Sequence, residues 1–167
     1  MKKLILFAIS AALLLGGCDS SDRTGNFQIY MKDQPMDADE ILVTLSEISV
    51  QKEDEGFLTI WSGEKTYDLI KLQKQEEKII DITLDAGTYT QIRLIVTAGN
   101  IVISGESSEM VVPSLEVKIP LVFNIMEGSA TEILLDFEAD HSIQVVNAGH
   151  SEQYILRPVI RVESITY

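Results

Sequence analysis

The sequence has few of the residues that most often form cross-links or carry out chemistry. Its 167 residues include one cysteine, Cys18, which excludes an intramolecular disulfide, a multi-cysteine zinc site and a dithiol redox pair. Its two histidines, His141 and His150, lie near turn signals, where we expect exposed loop positions. No phosphate-binding loop, Gly-x-Ser-x-Gly elbow or His-Glu-x-x-His motif is present. The sequence therefore predicts no catalytic residue, no cofactor and no enzymatic activity.

Basic residues are also scarce. Lys and Arg together number 13, against 26 Asp and Glu. A chain this acidic repels phosphate backbones, which argues against a nucleic-acid partner. The hydrophobic content of 46% excludes wholesale disorder and suits one domain with a real core.

No apolar run is long enough to cross a membrane. The longest, residues 4–15, would span only about 18 Å as a helix, whereas the hydrocarbon core is about 30 Å thick. This run follows Lys2 and Lys3, an arrangement typical of a secretory signal peptide. We therefore expect residues 1–17 to be removed, which leaves 11 basic residues and a net charge of about −15.

The residues around the cysteine resemble a bacterial lipobox. Leu15, Gly16 and Gly17 supply an aliphatic and two small residues directly before Cys18. The resemblance implies that Cys18 carries a lipid and that its amine is acylated, for example with palmitate; an incidental cysteine in an ordinary signal peptide is the alternative. Asp19 resembles the inner-membrane retention signal of enterobacterial lipoproteins, or is simply a linker residue. We expect residues 18–25 to form a lipidated cysteine and polar linker that tether the domain to a membrane of the cell envelope, on its periplasmic or outer side.

Residues 26–167 are predicted to form a single domain of short strands. Phe27, Ile29 and Met31 alternate with polar residues, and residues 154–162 form another such segment. Turn signals recur between the segments and no long helical pattern is present. The prediction is an all-β, antiparallel Greek-key β-sandwich of immunoglobulin-like or transthyretin-like type.

The segment that begins at Ile41 fits either a helix or a strand. Its β-branched residues favour a strand. Ile41, Val43 and Leu45 would then point to one face and Ile48 and Val50 to the other, so a bulge is needed to keep one face apolar.

A second local signal is structural. Gly87 and Tyr89 lie in a tight turn that leads into a strand, the pattern of a tyrosine corner. We expect the phenol hydroxyl to bind a backbone group a few residues upstream and the ring to cover the edge of the core.

Four segments together resemble the bacterial family catalogued as domain of unknown function 4382. They are Ile41–Ile48, Leu84–Leu94, Leu134–Ser142 and Tyr154–Val162, and the resemblance extends over residues 26–163. It implies an exported, often lipid-anchored β-sandwich similar to transthyretin-like or carboxypeptidase-regulatory-like domains. It implies no known activity and no catalytic residues.

Carboxylates are the only abundant functional groups. Calcium requires six to eight oxygen ligands from a loop that wraps around it. One cluster follows Met36, and the second could wrap an ion only if the chain turned after Phe137. The candidate calcium ligands are Asp37, Asp39, Asp136 and Asp140; solvated surface charge is the alternative.

Three arginines are candidates either for salt bridges or for a patch that binds an anionic ligand. Arg157 and Arg161 lie four apart, which places them on one face of a single strand, and Arg93 could share that face. Salt bridges to the many acidic residues are the alternative.

These observations predict a lipid-anchored cell-envelope domain that is a binding or accessory module for protein or glycan. An exposed aromatic side chain on a sheet, such as Trp61, would favour binding. The alternative is an envelope hydrolase that uses acidic residues or calcium, which would require two carboxylates about 5–10 Å apart in a pocket.

Overall fold

The computed structural model describes residues 23–34, 36–148 and 151–167 as two packed β-sheets. The small sheet contains, in spatial order, β11 (Ile160–Thr166), β8 (Ala130–Phe137), β1 (Thr24–Asp33) and β4 (Glu77–Asp85). The large sheet contains, in spatial order, β3 (Phe57–Asp68), β2 (Glu40–Lys52), β5 (Gly87–Ile103), β6 (Glu106–Val111), β10 (Ser151–Leu156) and β9 (Ile143–Ala148). The strand β7 (Glu116–Ile125) pairs with the first half of β5.

The described residues also contain two one-turn helices, α1 (Leu69–Leu72) and α2 (Ala139–Ser142). Neither they nor any other helix of the described ranges has the length and apolar character needed to span a bilayer. The predicted all-β sandwich is therefore confirmed.

The sheets are mixed rather than wholly antiparallel, which corrects one detail of the prediction. β1 runs parallel to β8, and β6 runs parallel to β10, whereas the other pairs are antiparallel. A tight hairpin forces neighbouring strands to be antiparallel, but β1 and β8 are separated by most of the chain. The parallel direction of β1 and β8 is therefore determined by how the strands pack, and no local sequence pattern predicts it.

The core follows from the alternation along the strands. Phe27, Ile29 and Met31 are at most 1% exposed, and the residues between them point outward. The rings of Phe27 and Tyr89 each stack on Phe123, with centroid distances of 5.2 and 5.3 Å. Aromatic residues from β1, β5 and β7 thus join the two sheets.

The bulge that the sequence requires in β2 is present. The register shifts between Leu45 and Glu47 relative to both neighbouring strands. Ser46 is the extra residue, and it returns the apolar side chains of Ile48 and Val50 to the core side.

Two predicted boundaries differ from the structure. Residues 154–162 do not form one strand, because β10 ends at Leu156 in the large sheet and β11 begins at Ile160 in the small sheet. Pro158 lies between them and lacks the N–H that a continuous strand would donate.

The second difference concerns the end of the predicted linker, residues 18–25. Thr24 and Gly25 belong to β1, and Gly25 is buried. A Cβ atom at Gly25 would collide with the carbonyl oxygen of Met126, so this close approach requires glycine.

The sandwich has two distinct ends. At the near end, β1 begins, Thr24 pairs with Asp85, and Gly87 opens β5. At the far end, β5 and β6 are joined by a turn at Ser104 and Gly105. β5 has 17 residues and β1 has 10.

Candidate functional site

The lipobox lies outside the described residues, as do Asp19 and His150. The first strand begins at Thr24, six positions after Cys18. The predicted lipidation at Cys18 therefore remains a prediction from sequence.

The turn before β5 has the geometry of a tyrosine corner. The Tyr89 hydroxyl donates a hydrogen bond to the carbonyl oxygen of Asp85 at 3.0 Å, and the residue is 1% exposed. Burial, with a smaller effect from the charges of Asp85 and Glu55, raises the pKa of Tyr89 to about 12. Gly87 has a φ of +151°, a conformation that other L residues rarely adopt. Both residues therefore act in the architecture of this turn.

The four candidate calcium ligands do not converge. Asp37 is exposed, and a carboxylate oxygen of Asp39 accepts a hydrogen bond from the amide of Gly105 at 2.8 Å. Asp140 lies 2.9 Å from Nδ1 of His141, and Asp136 lies on β8. Within residues 23–34, 36–148 and 151–167, no three Asp, Glu, His or Cys side chains are arranged to hold a metal ion.

The structure instead reveals a buried acidic residue that the sequence analysis missed. Asp33, the last residue of β1, is 5% exposed. Its Oδ1 accepts a hydrogen bond from the Ala139 amide at 3.0 Å, and its Oδ2 accepts one from Nε2 of Gln73 at 3.4 Å. Burial raises the pKa of Asp33 to about 6, and the charge of Asp136 adds a smaller increase. An aspartate shortly before a proline resembles an ordinary turn residue, so no sequence signal marks its burial.

Two further carboxylates lie near the same ends of β1 and β8. Asp136 is 2% exposed, and its Oδ2 accepts a hydrogen bond from Nε2 of Gln34 at 2.7 Å. Glu138 is also 2% exposed and lies 2.9 Å from a guanidinium nitrogen of Arg161. Asp136 Oδ1 and Glu138 Oε2 have no hydrogen-bond partner among the described residues.

These carboxylates hold strand and helix ends together. Through Asp33, β1 is joined to α2 and to the residue that follows α1, while Glu138 joins the start of α2 to β11. None of the clefts described below is lined by Asp33, Asp136 or Glu138. Their arrangement therefore supports a structural role.

The three arginines do not form one patch, and Arg93 and Arg161 instead form the ion pairs with acidic residues that were the other interpretation of the sequence. Arg157 lies after the end of β10 and donates to Oε1 of Gln144 at 2.9 Å, whereas Arg161 is on β11 in the other sheet. Arg93 is 3.3 Å from both Glu47 and Glu116. Its guanidinium also lies over the ring of Phe57, 4.2 Å from the centroid.

Trp61 is not an exposed aromatic side chain. It is half-buried and packs against the core beside Gly63. The exposed aromatic side chain that would favour binding is therefore not present at position 61.

A cleft of about 610 Å³ lies at the far end of the large sheet, beside the turn that joins β5 and β6. Its accessible apolar surface comes from Ile103 at the end of β5 and from Tyr154 on β10, with the buried Ile101 beneath them. Glu106 and Glu152 contribute carboxylates, and the Tyr154 hydroxyl donates to Oε2 of Glu152 at 3.1 Å. We call this site the far-end cleft.

The far-end cleft is assembled from residues about 50 positions apart in the chain. The parallel pairing of β6 with β10 aligns Met110 with Tyr154 and brings the two glutamates to the same cleft. No local motif encodes this proximity, and for that reason the sequence analysis did not find the site.

A second cleft, of about 470 Å³, is more neutral. It is lined by Leu42, Thr44 and Thr66 together with Val112 and residues of β5 and β6, and Glu109 is the only ionisable group among the described residues that line it. Its residues offer hydroxyl and apolar contacts but few charges.

Comparison with known proteins places the domain in a family without an assigned activity. Residues 24–158 match the sequence model of the family DUF4382, which is described as a domain of unknown function. No curated protein and no solved structure matches the chain significantly.

Proposed function

The chain belongs to the DUF4382 family of domains of unknown function. We propose that it is a lipid-anchored module of the bacterial cell envelope. In this proposal the domain binds a protein or glycan partner and does not catalyse a reaction. The observation that carries this proposal is the position of the far-end cleft, at the end of the sandwich opposite the start of β1. A module tethered at one end would present this cleft away from its membrane.

The anchor is supported by the lipobox residues before Cys18. From Cys18 to Thr24 the chain can reach at most about 20 Å, so a lipid on Cys18 would hold the near end close to the bilayer. The near end also carries the acidic turn Glu53, Asp54 and Glu55. Anionic headgroups would repel this turn, so the domain would stand on its tether rather than lie on the surface.

The anchor is tested by replacing Cys18 with serine. We expect Cys18→Ser to abolish both incorporation of radioactive palmitate and pelleting with membranes, because the sequence contains no apolar run long enough to span a bilayer. Ser21→Ala, in the same linker, is the matched control and should behave like the wild type. Labelling or membrane association of Cys18→Ser would show that the anchor is assigned wrongly. Density separation of the membranes would also test retention in the inner membrane, which Asp19 favours.

The binding role is tested by site-specific photo-cross-linking in cells. A photoreactive residue at the exposed Ser107, beside the far-end cleft, should form a discrete adduct, whereas one at Glu127 near the other end should not. Equal adducts at both positions, or none at either, would contradict a binding role for the far end.

A further inference from the structure

The far-end cleft combines an apolar surface with hydroxyl groups and carboxylates. Among the described residues, its lining consists of two isoleucines, two serines, one tyrosine and two glutamates, without lysine or arginine. We infer that the far-end cleft binds a lysine or arginine side chain of a basic segment in a partner protein. This inference rests on the proposed binding function and names the chemical class of the ligand.

The apolar surface suits the stem of a long cationic side chain. Ile101 is fully buried and Ile103 is partly buried, so the base of the cleft is fixed by the core. Lysine and arginine place their methylene groups along apolar surfaces of this kind while the charged group remains in a polar environment. The half-buried ring of Tyr154 adds an aromatic face to which a cation is attracted.

The two glutamates supply the charge that the cationic group requires. Glu106 and Glu152 are exposed, and neither takes part in an ion pair within the described residues. A guanidinium or ammonium group can therefore bind them through charge-assisted hydrogen bonds without breaking an internal ion pair. The hydrogen bond to Glu152, followed by burial and the charges of Glu152 and Glu106, raises the pKa of Tyr154. Both carboxylates thus lie close enough to Tyr154 to affect its ionisation.

The surroundings extend the negative potential. Asp39 accepts the hydrogen bond from Gly105, the residue between Ser104 and Glu106, and Glu40 pairs with Val102 nearby. Lys71 in α1, whose charge also interacts with Glu40, is already paired with Asp68 at 3.0 Å. A field of one sign around a cleft attracts ligands of the opposite sign and repels anionic ones.

The test uses the full mature lipoprotein in a mild detergent and a fluorescein-labelled Gly-Gly-Arg-Gly-Gly peptide. Fluorescence anisotropy at low salt measures binding, and the same peptide with citrulline in place of arginine removes only the charge. We expect the arginine peptide to bind and the citrulline peptide to bind at least about tenfold more weakly.

The matched variants carry the same change in net charge at different places. Glu106→Gln combined with Glu152→Gln should weaken binding of the arginine peptide by about tenfold or more. Glu53→Gln combined with Glu64→Gln, both at exposed positions away from the cleft, should change it by less than about twofold. Thermal unfolding of each variant shows whether the fold is retained.

Three outcomes would overturn the inference: no binding of the arginine peptide, equal binding of the arginine and citrulline peptides, or equal losses in the two double variants. The last outcome would indicate general charge attraction rather than a site. None of these results would affect the anchoring test at Cys18 or the cross-linking test at Ser107. Failure of the ligand class is therefore distinguishable from failure of the proposed function.

Discussion

Tyr89 shows how a single side chain connects a turn to the core. Its ring stacks on Phe123, which stacks in turn on Phe27, while its hydroxyl holds the carbonyl of Asp85 at the end of β4. Gly87 gives the chain the positive φ that the turn needs. The residue therefore contributes both apolar burial and a local hydrogen bond, and the two contributions can be separated experimentally.

Tyr89→Phe keeps the ring and removes the hydrogen bond. We expect it to lower the free energy of unfolding by about 1 kcal/mol, the usual net contribution of one such bond. Urea unfolding of both proteins measures the difference. Tyr167→Phe is the control, because Tyr167 is 55% exposed at the end of the chain. Identical urea midpoints for Tyr89→Phe and the wild type would show that this hydrogen bond does not stabilise the turn.

At the scale of the elements, Asp33 has an unusual position. It joins the end of β1 to the first amide of α2 and to Gln73 after α1. Both helices have only four residues, too short to be stable alone, so tertiary contacts of this kind hold them in place. The connection has an energetic cost, because burial disfavours the charged form of Asp33.

This cost predicts a pH dependence of stability. The pKa of Asp33 is about 6 in the folded protein, above its ordinary value of 3.8, so the folded state holds this proton more tightly than the unfolded state. The stabilisation from this proton is complete below pH 4 and is lost as the pH rises through about 6. Asp33→Asn stays uncharged and keeps an oxygen that can accept from Ala139. The free energy of unfolding of Asp33→Asn minus that of the wild type should therefore rise by about 2–3 kcal/mol between pH 4 and pH 7.

Chemical unfolding of both proteins at several pH values measures this difference. Asp37→Asn, at an exposed position nearby, is the control and should show a much smaller change. A constant difference between Asp33→Asn and the wild type across this range would mean that the Asp33 pKa is not raised in the folded protein.

The strands were predictable to the extent that burial of one face determines the sequence. In β2 the change of face between Leu45 and Ile48 requires a bulge, and the structure has it at Ser46. The break at Pro158 was harder to see, because apolar residues continue on both sides of it while the chain passes from one sheet to the other. The alternation of apolar and polar residues along a strand shows which face of the strand is buried, but it does not show which sheet the strand belongs to.

The candidate site was less predictable because it depends on pairing between distant strands. Glu106 and Tyr154 share the far-end cleft only because β6 and β10 are neighbours and parallel. Asp33 is buried because α1 and α2 cover the end of β1, and nothing in the residues around it indicates that cover. Local patterns specify elements, whereas these sites arise from the topology that joins them.

At the scale of the whole molecule, the charge distribution determines which ligands are plausible. Acidic residues outnumber basic ones 26 to 13, and several basic side chains are already engaged, with Arg93 held between Glu47 and Glu116. Glu106 and Glu152 share the far-end cleft, but within the described residues no three acidic side chains converge to hold a metal ion. A diffuse field attracts cations in general, whereas a calcium site needs six to eight converging oxygens.

We therefore expect calcium to leave stability nearly unchanged. An extracellular-type calcium site has an affinity of roughly 0.1–1 mM, so about 10 mM calcium would stabilise a folded protein that contains one by up to about 2.7 kcal/mol. A domain of this size shifts its melting temperature by about 2–4 °C per kcal/mol, so such a site would be easily detected. Magnesium at equal ionic strength is the control for screening of the net negative charge. A calcium-specific rise of more than about 4 °C, lost in Asp136→Ala or Asp39→Ala, would show that one carboxylate cluster rearranges to bind the ion and would make a calcium-dependent function the better proposal.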